Sequence, residues 1–76
     1  MKIIIEIVLN RTQKKDTRVF TKKSDALNFM EGMFEATLLM GGSVYNDGKD
    51  YWFYDQPDCD IDSDVAPIMF VDVEEC

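Results

Sequence analysis

Four aspartates recur at every second position of the stretch DQPDCDIDSDV, residues 55–65: Asp58, Asp60, Asp62 and Asp64. Clustered carboxylates can hold a metal ion, work as an acid–base pair or present negative charge to a partner. The run opens with the D-x-D-x-D of a calcium loop. Counting from Asp58, however, Ser63 occupies the sixth place, where the sharp turn needs glycine, and Met69 the twelfth, where a bidentate glutamate closes the site. Flanking helices are not expected either. A dedicated calcium site is therefore disfavoured. An Asp-cluster metal-binding protein ranks third among the readings, and no metal or cofactor is expected.

Other catalytic chemistry lacks its parts. The chain contains no histidine, the commonest general base at neutral pH. A nucleophilic cysteine needs a base or a positive neighbourhood, whereas Cys59 lies among carboxylates. Neither a glycine-rich phosphate loop nor a GxSxG elbow is present. Paired acids hydrolyse glycosides in deep clefts, and 76 residues leave little room for one. The expectation is a protein that is not an enzyme. Cys59 and Cys76 show no CxxC spacing and are expected as thiols.

An extended run would set the four aspartates on one side, about 6.7 Å apart, roughly one phosphate step of a nucleic-acid strand. Such a row imitates a backbone and suits a basic groove. Asp55, Asp72, Glu74 and Glu75 extend it. The plain alternative is that aspartate suits loops and blunts a strand edge against aggregation.

The charge distribution bears on both. Residues 1–23 carry seven of the eight basic residues and only Glu6 and Asp16, so about +5; residues 24–76 carry Lys49 against thirteen acids, so −12. The net charge of −7 repels nucleic acid and anionic membranes, so neither is expected as a direct partner. The basic stretch NRTQKKDTR reads as a solvated hairpin loop. Glu6 and Asn10-Arg11 break up the apolar start, MKIIIEIVLN, so it reads as the first strand of a mature cytoplasmic protein rather than a secretion signal.

The elements that must position these residues follow from periodicity. IIIEIVL, residues 3–9, alternates with Ile3, Ile5, Ile7 and Leu9 on one face and Ile4, Glu6 and Val8 on the other. DTRVFT gives a second strand, paired as a hairpin. Residues 24–40 read as a helix with Ser24 as cap and Asp25 in the first turn. Its expected buried stripe is Leu27, Met30, Phe34 and Leu38, with Ala26, Met33, Thr37 and Met40 beside it. Gly41-Gly42 ends it, and Gly32 within it suggests close packing. Asn46-Asp47-Gly48 turns a second hairpin between Val44-Tyr45 and Tyr51–Tyr54. The acidic connection follows, then a last strand in PIMFVDVEE. The order β-β-α-β-β-β describes a single α+β domain over residues 1–76, one helix packed on one face of an antiparallel sheet.

One helix covers one sheet face. The other should carry Ile4, Val8, an alternating aromatic pair (Tyr51/Phe53 or Trp52/Tyr54), Ile68 and Phe70, a patch seldom left wet. A homodimer through Ile4, Val8, Ile68 and Phe70 would cover it.

In size, charge and lack of catalytic groups the chain is similar to phage-encoded inhibitors of host defence, such as anti-CRISPR proteins and DNA mimics. That resemblance, carried by type and by no motif, implies an inhibitor acting in the host cytoplasm. The leading expectation is an acidic protein-binding module whose partner carries a basic, nucleic-acid-binding type of surface, with Asp55, Asp58, Asp60, Asp62, Asp64, Asp72, Glu74 and Glu75 facing it. A structural homodimeric or antitoxin-like domain is the alternative.

Overall fold

Alternating apolar residues pair along five strands in the structure, a computed structural model that describes residues 2–60 and 64–76. Asp62 of the expected binding set, with Ile61 and Ser63, lies outside the described residues. The elements are β1 (Ile3–Leu9), β2 (Lys15–Phe20), α1 (Lys23–Leu39), β3 (Ser43–Asn46), β4 (Tyr51–Tyr54) and β5 (Met69–Glu75). The sheet runs in the order β2-β1-β5-β4-β3, antiparallel throughout. β2 and β3 form opposite edges, and α1 crosses one face between them. This is the expected α+β architecture.

Register decides which residues meet the helix. Ile5 stands opposite Arg18 on β2 and Val73 on β5, Ile7 opposite Val71, and Val71 opposite Tyr51. Residues directly opposite one another share a face. The helix-covered face thus gathers Ile3, Ile5, Ile7, Val71 and Phe53, which with Ala26 and Met30 make the core. Phe34 stacks on Phe53 at 5.8 Å between ring centroids and tilts against Tyr51 at 5.2 Å.

The helix is rotated from the expected phase. Ala26, Met30 and Thr37 are buried and Phe29, Met33 and Phe34 are half-buried, whereas Leu27 is 52% exposed and Leu38 60%. The stripe of Leu27, Met30, Phe34 and Leu38 is therefore only half right. Small side chains at 26 and 37 let the helix approach the sheet, and the Thr37 hydroxyl donates to the Met33 carbonyl at 2.9 Å, so its burial leaves no polar group wanting. Ser24 is not the cap: Lys22 holds the extended N-cap position without a side-chain hydrogen bond, and Ser24 lies inside the first turn. Gly32 is exposed and faces open space, so close packing does not explain it.

The C-terminal stop is as expected. Gly41 takes a φ of +83°, its N–H donates to the Leu38 carbonyl at 3.1 Å, and the Gly42 N–H donates to the Thr37 carbonyl at 2.9 Å. This doubly bonded ending uses glycine's access to the left-handed region. Gly42 is needed for space: a Cβ there would run into the Tyr54 carbonyl and the Thr37 side chain.

Candidate functional site

The face turned away from α1 is chemically unlike the covered one. Tyr45 on β3 stands opposite Trp52 on β4, Trp52 opposite Phe70 on β5, and Phe70 opposite Val8 on β1. Ring centroids are 5.8 Å apart for Tyr45–Trp52 and 5.2 Å for Trp52–Phe70, both tilted. These rings form one half-buried aromatic stripe across three adjacent strands. Of the two aromatic pairs left open by the sequence, Trp52/Tyr54 belongs to this face, together with Ile4, Val8 and Phe70. Ile68 lies just before β5 and is exposed; its N–H donates to the Phe53 carbonyl at 2.7 Å.

Carboxylates flank the stripe on one side. Glu6 stands opposite Asp72, and Glu74 opposite Ile4, on this same face. Asp50, just before β4, joins Asp72. The Oδ1 atoms of Asp50 and Asp72 are shut off from solvent, and the Lys49 ammonium lies 4.0 Å from the first and 3.1 Å from the second. Asp50's carboxyl is pushed above the usual carboxylate range by its hydrogen bond to Asp72 and then by desolvation. Asp72 is held below that range by its bonds to Asp50 and to Lys49. One proton fits between them more readily than two charges do. Lys49 is placed by the hairpin turn, where the Asp47 carboxylate accepts the Lys49 and Asp50 N–H groups at 2.9 and 2.8 Å. Lys15 approaches Glu6 at 3.9 Å.

The acidic connection lies on the other side. Ser43, on the open face opposite Tyr54, donates from its hydroxyl to the Gln56 carbonyl at 2.7 Å and accepts the Cys59 N–H at 3.1 Å. That clamp folds residues 56–59 back over the end of the face. Tyr54 is only 2% exposed as a result, and burial, then Cys59 and Asp60 nearby, raise its phenol's pKa. The described part of the run contains no strand, and Asp58 turns the chain with a φ of +57°. The described aspartates do not form the evenly spaced row of an extended strand. Asp55, Asp58, Asp60 and Asp64 are nonetheless exposed.

The expected binding residues therefore divide. Asp72 and Glu74 lie on the open face beside Glu6 and Asp50, which the sequence reading did not single out. Asp55, Asp58 and Asp60 sit across the stripe from them. Glu75 stands opposite Ile3 on the covered side, at the rim of an apolar cleft of about 200 Å3 between α1 and the sheet. Asn10 ties the basic hairpin to the far end of the connection, donating from its side chain to the Pro67 carbonyl at 2.8 Å. Cys59 and Cys76 are free thiols. Among the described residues no group of three His, Cys, Asp or Glu side chains comes together to hold a metal ion, and no helix is long and apolar enough to cross a membrane. Comparison with protein-family models, curated proteins and solved structures finds no match for this chain.

Proposed function

We propose that this protein is a non-enzymatic acidic binding module, a small inhibitor that occupies a basic, nucleic-acid-binding surface of another protein. One observation carries the reading: an aromatic stripe, Tyr45–Trp52–Phe70, lies between two sets of carboxylates, Glu6, Asp50, Asp72 and Glu74 on one flank and Asp55, Asp58 and Asp60 on the other. Stable interfaces combine a desolvated aromatic centre with a polar rim. Here the rim is anionic, which favours cationic partners and gives fast, salt-dependent association. The cytoplasm, where Cys59 and Cys76 stay reduced, is the compartment this reading fits, and inhibitors of host defence are the type it resembles.

The test is capture of partners from lysate on the immobilised protein at low and high salt, with duplex DNA as competitor. The expected prey are nucleic-acid-binding proteins, released by salt and by DNA, and lost when Asp58, Asp60, Asp62 and Asp64 are replaced by Asn. Prey indifferent to salt, to DNA and to the four substitutions would remove the proposal.

A further inference from the structure

We infer that the group this face takes from its partner is arginine, with the guanidinium laid on the Trp52 and Phe70 rings and its charge met by Asp72 and Asp50. The inference rests on the reading of a basic partner and adds which cation is recognised and where.

The geometry begins with β5. Phe70 and Asp72 are two residues apart on the same side of the strand, a separation of about 7 Å. Trp52 stands opposite Phe70, and Asp50 lies just before the start of β4. A planar cation resting on the Trp52–Phe70 step thus has carboxylate oxygens within reach at one edge. The place already holds a cation of the chain's own, since the Lys49 ammonium lies 3.1 Å from Asp72 Oδ1. Lys49 is a weak occupant, because its side chain is 60% exposed and exposed ion pairs contribute little. A guanidinium can bond two carboxylate oxygens at once and displace it.

Arginine suits the stripe better than lysine for two reasons. Its guanidinium is flat and weakly hydrated, so it stacks on an aromatic face at low desolvation cost; an ammonium is a compact, strongly hydrated charge. The covered side shows the same pairing in the molecule itself, where the Arg18 guanidinium lies 5.9 Å from the Phe29 ring centroid. A second copy of the chain fits less well. Face-to-face packing would bring together two faces that both carry carboxylates, while Lys15 and Lys49 already have acidic neighbours. Phosphate-bearing ligands are repelled outright.

Trp52 is the single tryptophan, so its fluorescence reports directly on the stripe. The probes are a peptide of alternating Arg and Ser and its equal-length Lys and Ser counterpart, each carrying a fluorophore for anisotropy. The expected result is a Trp52 emission shift with the arginine peptide and roughly tenfold tighter binding than the lysine peptide at the same salt. Trp52→Leu should bring the two affinities together, and Lys49→Ala should strengthen arginine binding a few-fold by removing the competitor. Equal binding of both peptides by the unaltered protein overturns the arginine inference and leaves the basic-partner reading standing. Binding of neither overturns both. An emission shift that follows protein concentration alone assigns the face to a second copy and overturns the inference.

Discussion

Phe53 and Trp52 are neighbours on β4 and lead opposite lives. Phe53 points under the helix, is fully buried and stacks on Phe34, whereas Trp52 points the other way and stays half exposed between Tyr45 and Phe70. The two faces of the sheet differ in the same sense along β1, β4 and β5. The covered face is apolar, aliphatic around Ile3, Ile5, Ile7 and Val71 and aromatic at Phe53, and its one buried polar side chain among the described residues, Thr37, is hydrogen-bonded. The open face joins aromatic rings to carboxylates, two of which, Asp50 and Asp72, meet beside Lys49. Most of the burial that drives folding lies on the first face, with Tyr54 the buried exception on the second. The second retains surface that a folded monomer has no means to hide, together with like charges that a folded monomer does not need.

Substitutions on adjacent residues should expose the contrast most strongly. Phe53→Ala should cost about 3–5 kcal/mol. That is comparable to the whole stability of a small domain, so the chain should be largely unfolded by circular dichroism at room temperature. Trp52→Ala should cost at most about 2 kcal/mol, from part of its burial and two ring contacts, and leave a cooperative urea transition. Equal losses would mean that the open face is as structural as the covered one.

The attachment of the helix offers a second, smaller contrast. Gly42→Ala puts a methyl against the Tyr54 carbonyl and Thr37, and should lower stability by about 1–3 kcal/mol. Gly32→Ala, on the outer side of the same helix, meets open space and should raise stability by about 0.5–1 kcal/mol through helix propensity. Urea midpoints of the two variants would show both signs; a loss at Gly32 would contradict the helix orientation.

The smallest effect is one of pH. Asp50 binds its proton more tightly folded than unfolded, so its contribution to stability grows as pH falls from neutrality toward about 4. Asp72 has the opposite shift: its contribution is present above the ordinary carboxylate value and is lost as pH falls through its lowered folded value. Asp50→Asn should therefore be as stable as the unaltered protein or slightly more so at pH 7, and should flatten the gain between pH 7 and about 4. Urea midpoints across that interval test it. An unchanged slope would show that the two carboxyls are not linked.

The sheet was legible where alternation is strict. Ile3, Ile5 and Ile7 face the helix, and both hairpin turns lie where polar and glycine-containing stretches interrupt the apolar ones. Strand order was not legible, because the pairing of β1 with β5 joins residues far apart in sequence and leaves no local trace. The helix was found to within a residue at each end, but its phase was not. Leu27, Phe29, Met30, Met33, Phe34, Leu38 and Leu39 surround the axis, so apolarity alone does not choose a side; the space permitted by Ala26 and Thr37 does. For the candidate site, the excess of apolar residues on a second face was visible in alternation. The meeting of Asp50 with Asp72 was not, since it depends on the register of β4 against β5. The acidic run attracted attention through its regular spacing, which the turn at Asp58 breaks, while the clamp by Ser43 that brings it to the stripe has no signature in sequence.

The central position of β1 and β5 has a kinetic consequence. β1 can form a hairpin with β2 as soon as both exist, but its other edge pairs with residues 69–75, as in Ile3 opposite Glu75. During synthesis the segment IIIEIVL must therefore wait with one long, sticky edge unfilled until the last strand arrives. Such non-local closure slows folding and prolongs the interval in which two nascent chains can join edge to edge. Glu6, the one charge in that segment, then acts as a gatekeeper against stacking of copies during the wait, a service performed before the native sheet exists.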